Sequence, residues 1–201
     1  MKIICIGRNY VAHAKELNNP VPEAPLVFMK PSTAMLVNDK DFYYPEFSKD
    51  IHYEAELVVK IGKNGKHIQP EFAKDYVEAL TVGLDMTARD IQAIAKEKRH
   101  PWEMGKAFDN SAVIGKFIPF SGDLTAVNFS LKQNGEWVQR GITSDMLFPI
   151  ESIIVYVSKY FKLQMGDLIF TGTPAGVGPI QIGDTYEGYL EDEKVLHCEI
   201  K

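Results

Sequence analysis

The stretch DIHYEAELVVKIGK, residues 50–63, sets two glutamates, Glu54 and Glu56, inside a run that otherwise has the β-branched and apolar content of a strand. Side chains at i and i+2 of a strand point to one face, so Glu54 and Glu56 are neighbours there. His52 joins them on that register, while Tyr53, Ala55 and Leu57 face the other way. Two carboxylates roughly 6–7 Å apart on one face repel unless solvent or a cation separates them. Water on an exposed strand face is one account; a bound ion is the other. LTVGLDMTARD (80–90) places a third acid, Asp85, where an apolar strand runs out. Two glutamates and an aspartate form an all-oxygen set that suits Mg²⁺ or Mn²⁺, whereas zinc would be expected to recruit His or Cys. Spacing alone leaves both accounts open.

Outward from this stretch, strand-like runs dominate. KIICIG (2–7), LVFMK (26–30), AMLV (34–37), FYYP (42–45) and EALTVGLDM (78–86) read as strands set off by Pro, Gly, Asn or Asp, and NNPVPEAP (18–25) as a turn-rich connection. VNFSLKQNGEWVQR (127–140) is a hairpin, because Asn134-Gly135 supplies the positive φ angles of a type I′ turn. YVAHAKEL (10–17) and ARDIQAIAKEK (88–98) read as short helices. FPIESIIVYVSKYFKL (148–163) is an amphipathic helix with Pro149 in its first turn and Ile150, Ile153, Ile154, Val157 and Phe161 on one side. DLIFTGTPAGVG (167–178) is a strand running into a Gly-rich loop, and residues 184–200 form a last hairpin. Strands outnumber helices and do not alternate with them, which argues against a doubly wound sheet and for an α+β chain with a mixed or antiparallel core.

Composition bounds the function. A chain of 201 residues, 45% of them hydrophobic, fits one domain with a sizeable core. A net charge of −5 argues against a nucleic-acid partner, since phosphate binding needs a basic face. Cys5 and Cys198 have no metal or redox spacing and read as reduced thiols. No apolar run is long enough for a signal peptide or a membrane span, so a cytoplasmic protein without membrane partner is expected.

Other residues carry two readings each. His13 and Glu16 share a helix face; they are either a surface pair or a general base oriented by a carboxylate. Lys30 and Lys106 are either solvated or cations for an anionic substrate. Arg89 and Gln92, one turn apart, suit a substrate carboxylate, or Arg89 pairs with Asp90 or another acid. TGTPAGVG lacks both the Lys-Ser/Thr ending of a P-loop and the G-x-G-x-x-G spacing, so its glycines read as turn formers. His67, His100 and His197 have no matching partners.

Six blocks, in order and over nearly the whole chain, resemble the fumarylacetoacetate hydrolase family, and within it the short acylpyruvate hydrolases. They are GRNYVAHAKEL (7–17), FMKPSTA (28–34), YEAELVVKIGK (53–63), GLDMTARDIQ (83–92), PWEMGKAFDN (101–110) and FTGTPAGVGPI (170–180). The resemblance implies one catalytic domain over 1–201, a mixed sheet rolled into a barrel-like core with flanking short helices, and a homodimer. It implies one Mg²⁺ or Mn²⁺ on Glu54, Glu56 and Asp85, and a lid helix over residues 8–18 that carries a catalytic His13–Glu16 dyad. It also implies Lys106 beside the reacting carbonyl and Thr173 in the loop that lines the pocket, and Lys30, Arg89 and Gln92 are expected with them around a small 2-oxo acid. The implied reaction is hydrolysis of an acylpyruvate to pyruvate and a carboxylic acid. Oxaloacetate decarboxylation or 2-oxo-acid isomerisation on the same site is the rival, and a non-catalytic metabolite binder is the alternative of another class. The segment DNSAVIG (109–115) departs from the more general family pattern and puts the acyl group in question.

Overall fold

The computed structural model describes residues 1–16 and 20–201, with the side chains of 14 and 15 left aside. The α+β expectation holds. Among the described residues there are three sheets, and the largest has eight strands. Its order runs from the edge strand Leu26–Lys30 through Ile3–Gly7, Leu168–Phe170, Ala55–Ile61, Val77–Asp85 and Ala112–Ile114 to Met35–Leu36. Ile118–Pro119 pairs with the first half of Val77–Asp85. The pairs Ile3–Gly7 with Leu168–Phe170 and Met35–Leu36 with Ala112–Ile114 are parallel; the others are antiparallel, so the sheet is mixed.

A second sheet is built from the hairpins Asn128–Gln133/Glu136–Ile142 and Thr185–Leu190/Glu193–Glu199. Asn134 (φ 52°) and Gly135 (φ 87°) make the expected turn between the first pair. The large sheet curls so that Leu57, Val59, Leu80 and Val82 meet Phe129, Leu190 and Val195 of the second sheet, all buried. The helix Ile150–Tyr160 closes this core through Ile150, Ile153, Ile154 and Val157, each worth roughly 1.5–3 kcal/mol when fully buried. Cys5 and Cys198 are buried free thiols, and burial pushes Cys198 up to about 12.

Four readings from the sequence change. FYYP is not a strand: Phe42 makes only an isolated bridge to Ile200, and Tyr43 stands exposed. Ser32–Ala34 form a 3₁₀ turn, which leaves only Met35–Leu36 of AMLV extended. Phe161 lies beyond the helix in extended backbone, and Pro149 precedes the helix rather than sitting within it. Residues 51–61 are two strands, Ile51–Tyr53 and Ala55–Ile61, parted at Glu54. The first belongs to a small third sheet with Thr87–Ala88 and Gly178–Pro179; the second belongs to the large sheet. The break takes His52 out of the acidic face, and its Nε2 lies 2.9 Å from Asp50 Oδ1 instead.

Candidate metal and 2-oxo-acid site

The break at Glu54 builds the site. Asp85 N–H donates to the Glu54 carbonyl at 2.9 Å, fastening the last residue of Val77–Asp85 beside the gap between the two strands. Across the large sheet, Leu168–Phe170 ends next to Ala55–Ile61, and Thr171 donates from both N–H and Oγ1 to the Leu57 carbonyl. That contact sets Gly172 N–H 2.7 Å from Glu56 Oε2. Carboxylate oxygens of Glu54, Glu56 and Asp85, all buried, lie within 4.8 Å of one another.

The electrostatics divide the three acids. Burial pushes the Glu54 carboxyl up, but the Lys106 ammonium, then Arg89 and His13, outweigh it and hold it well below the usual carboxylate range. Glu56 goes the other way. Burial, then the charges of Asp85 and Glu54, push it well up, and the Gly172 N–H offsets only part. A buried acid driven upward by two neighbouring carboxylates is relieved by a cation among them. The buried all-oxygen donors therefore fit a hard divalent ion better than a thiolate- or imidazole-seeking one.

Lysines brace the triad. Lys106 Nζ donates to Glu54 Oε2 at 2.8 Å, Asp85 Oδ2 at 2.7 Å and Thr87 Oγ1 at 2.7 Å. Burial lowers this ammonium's pKa, but Asp85 and Glu54 more than reverse that, so it stays protonated at neutral pH. Lys30 Nζ stands 2.8 Å from Asp85 Oδ1 and donates to the Lys106 carbonyl and to Ser111. Lys30 is thus one layer back from the cavity and steadies Asp85 from behind. Arg89 donates from Nη2 to Glu54 Oε1 at 2.6 Å and from Nη1 to Gln92 Oε1 at 2.9 Å. Its acid partner is Glu54, while Asp90 caps the neighbouring Ser48–Lys49 segment.

The helix Val11–Glu16 covers this floor; the expected lid, 8–18, runs on into residues outside those described. Asn9 anchors its start, donating to the Thr171 and Phe148 carbonyls and accepting from Phe148 N–H. His13 is buried and lines the cavity, with Nδ1 3.1 Å from Glu16 Oε2. Glu16 Oε1 accepts from Gly176 N–H at 3.0 Å, tying the helix to the Gly-rich loop. Thr173 also lines the cavity, and Gln139 Nε2 donates to its Oγ1 at 2.8 Å. Of the residues singled out from sequence, His13, Glu54, Glu56, Asp85, Arg89, Gln92, Lys106 and Thr173 surround one cavity. The sequence reading did not pick out Arg8, Phe28, Lys96 and Trp102, which also line it, nor Gln139, whose Nε2 donates to Thr173 Oγ1 and the Pro174 carbonyl while its Oε1 accepts from Ala55 N–H.

Gly172 is the backbone hinge of the site. It has φ +102°, and a Cβ there would sit 2.6 Å from Asn9 Cβ. Gly172→Ala is expected to cost about 3 kcal/mol from backbone strain and overpacking, read as a lower denaturation midpoint. An unchanged midpoint would show that the loop can rearrange around a side chain.

Comparison with known proteins gives the relationship. Residues 2–201 match the family model described as fumarylacetoacetate (FAA) hydrolase C-terminal. The chain belongs to the fumarylacetoacetate hydrolase family. It is 41% identical over 202 residues to the oxaloacetate tautomerase YcgM of Escherichia coli (strain K12), covering 97% of this chain and 92% of that one. It is 44% identical over 185 residues to a mitochondrial oxaloacetate decarboxylase of Dictyostelium discoideum, covering 90% and 85%. Among solved structures, fumarylpyruvate hydrolase from Pseudomonas aeruginosa, in complex with Mn²⁺ and pyruvate, superposes with a TM-score of 0.94 at 39% identity, covering 100% of this chain and 89% of that one. The protein is an enzyme of this family, with a buried acidic triad suited to a divalent metal. No described helix is long and apolar enough to cross a membrane.

Proposed function

We propose that this enzyme acts on oxaloacetate, moving a proton between C3 and the 2-oxygen and so interconverting its keto and enol forms. The observation that carries this reading is a buried imidazole, His13, facing a braced carboxylate triad across a very small space. The cavity leaves about 40 Å³, room for about three waters at 10–15 Å³ each. A compact four-carbon acid asks the least rearrangement of such a site, and the relatives named for oxaloacetate support the same choice.

Glu54, Glu56 and Asp85 would hold one Mg²⁺ or Mn²⁺. When bound, that ion supplies an anchor for the carboxylate and 2-oxo oxygens of the substrate, and positive charge opposite the oxygen that becomes an enolate. The residues of the chain do the rest. Glu16 fixes the His13 ring through Nδ1, which leaves Nε2 to take the proton from C3 and deliver it to the 2-oxygen, and to carry it back from enol to ketone. Lys106 stays charged at the floor and stabilises negative charge as it develops, without itself acting as a base. The helix Val11–Glu16 acts as a lid: it opens to admit substrate, then seals the site through the Glu16–Gly176 hydrogen bond.

Hydrolysis of acylpyruvates is the second reading, favoured by the same dyad. His13 Nε2 would take a proton from a water that attacks the distal carbonyl, and cleavage releases pyruvate as its enolate. Decarboxylation of oxaloacetate passes through the same enolate but needs no attacking water.

The test is an assay of purified enzyme, stripped by chelator and reloaded with Mg²⁺ or Mn²⁺. The wild type is expected to accelerate oxaloacetate enol–ketone exchange only when reloaded, with acetylpyruvate cleavage slower. Exchange no faster than in buffer, alongside metal-dependent acetylpyruvate cleavage, would replace the first reading by the second. Gel filtration of the same sample tests the homodimer proposed for this chain.

A further inference from the structure

We propose that Arg8 and Lys96 form a subsite for a second carboxylate, making the enzyme selective for 2-oxo dicarboxylic acids over 2-oxo acids with an uncharged tail. This rests on the proposed action on 2-oxo acids and adds the residues that read the substrate's far end.

The charge around the cavity sets the problem. Five cations, Arg8, Lys30, Arg89, Lys96 and Lys106, surround three carboxylates, Glu54, Glu56 and Asp85, before any metal ion is counted. Three of the cations are already committed. Lys30 and Lys106 hold Asp85, and Arg89 divides its guanidinium between Glu54 and Gln92. Arg8 and Lys96 line the same cavity, and among the described residues neither takes part in an ion pair. Glu54 is the acid nearest in influence, and Arg89 and Lys106 already use both its oxygens.

Their placement is built rather than casual. Arg8 is not a glycine, yet it adopts φ +59° at the end of the strand Ile3–Gly7, and that turn sends its side chain to the cavity instead of along the strand. Lys96 lies on the helix Arg89–Lys98, two turns beyond Arg89, half-buried with its Nζ 5.9 Å from the Trp102 ring centre. Burial, then the nearby charges of Arg89 and Arg8, lower the Lys96 pKa. Two unpaired cations that repel each other across a cavity are stabilised by an anion between them, and each bond to a carboxylate is charge-assisted. The substrate's first carboxylate belongs at the triad. A second anionic group is what remains for Arg8 and Lys96 to bind.

The test compares Arg8→Gln, Lys96→Met and the double variant with wild type, all loaded with Mg²⁺. The readout is the ratio of kcat/KM for oxaloacetate to kcat/KM for acetylpyruvate. Each single change is expected to lower that ratio about tenfold and the double change about 10²-fold, the loss of one or two charge-assisted bonds. Arg8→Lys should recover part of it. A fall of both activities by the same factor, or no change in the ratio, overturns the subsite. A binding arm separates this from failure of the functional reading. Malate and lactate differ by one distal carboxylate, and calorimetry should find malate tighter on the wild type but not on the double variant. Equal binding of the two by wild type overturns the subsite. Malate selectivity that depends on Arg8 and Lys96, in an enzyme that turns over neither 2-oxo acid, keeps the subsite and removes the proposed reaction.

Discussion

Replacing Asp85 by asparagine is expected to lower kcat/KM on any accepted 2-oxo acid by about 10³-fold, since the ion's charge is worth several kcal/mol to the reaction and each 1.36 kcal/mol is tenfold. The same change should lower thermal stability. Asp85 accepts from Lys106 at 2.7 Å and stands 2.8 Å from Lys30, both ammoniums buried. Removing one partner from a buried ionic cluster typically costs about 3–5 kcal/mol, because the charges left behind remain desolvated. Loss of activity alone would therefore not separate a ligand from a structural acid.

Glu56→Gln separates them, because its two effects have opposite signs. The Glu56 carboxyl lies well above its ordinary range in the folded, metal-free protein, through burial and then the charges of Asp85 and Glu54. A carboxyl whose folded pKa exceeds its unfolded one costs stability once pH rises above the unfolded value, and the full cost is reached above the folded one. Glutamine removes that cost and still accepts from Gly172 N–H, so the metal-free variant should melt no lower than wild type, and higher as pH rises. It should also bind Mg²⁺ and Mn²⁺ at least about 10²-fold more weakly by calorimetry, since one of three charged ligands is gone. A Glu56→Gln protein that melts lower, as Asp85→Asn should, while keeping wild-type metal affinity would show that the triad is a structural cluster and not an ion site.

The acids were legible in the sequence because their spacing is local and their chemistry is unusual for a strand. Their geometry was not. Glu54 and Glu56 read as neighbours on one continuous strand, but residues 51–53 pair with Thr87 and Pro179, while 55–61 pair with Phe170 and Val82. The partners that pull the two halves into different sheets are distant in sequence, so no local pattern announces the break at Glu54. FYYP differs for a related reason: its aromatic content favours a strand, yet it pairs only briefly, Phe42 bridging Ile200 and Tyr44 N–H donating to the Lys201 carbonyl at 2.8 Å, with Tyr43 left exposed. The 3.6-residue pattern of 150–160 depends only on its own residues, and that helix came through apart from its ends. Arg8 and Lys96 show the limit most clearly. A single cation in a turn and another on a charged helix look like solvated surface, and only the fold brings them to one cavity.

His13→Ala is the second change expected to have a large effect, and it ranks the reactions against each other. A positioned general base contributes about 10²–10⁴ in rate. If His13 moves the C3 proton of oxaloacetate, enol–ketone exchange should fall by that factor; if it activates water, acetylpyruvate cleavage should fall likewise. Decarboxylation breaks its C–C bond without a base, so it should fall about tenfold at most, through poorer protonation of the product enolate. Glu16→Gln refines the assignment. The amide still accepts from Gly176 N–H, as Glu16 Oε1 does at 3.0 Å, so the helix Val11–Glu16 keeps its tie to the Gly-rich loop while the imidazolium loses its counter-charge. Exchange in Glu16→Gln should therefore drop about tenfold, in kcat more than in KM. A lid role alone would instead raise KM in His13→Ala and leave Glu16→Gln near wild type. If His13→Ala retained exchange, cleavage and decarboxylation equally, the dyad would have no chemical part, and the triad with Lys106 would have to account for catalysis by itself.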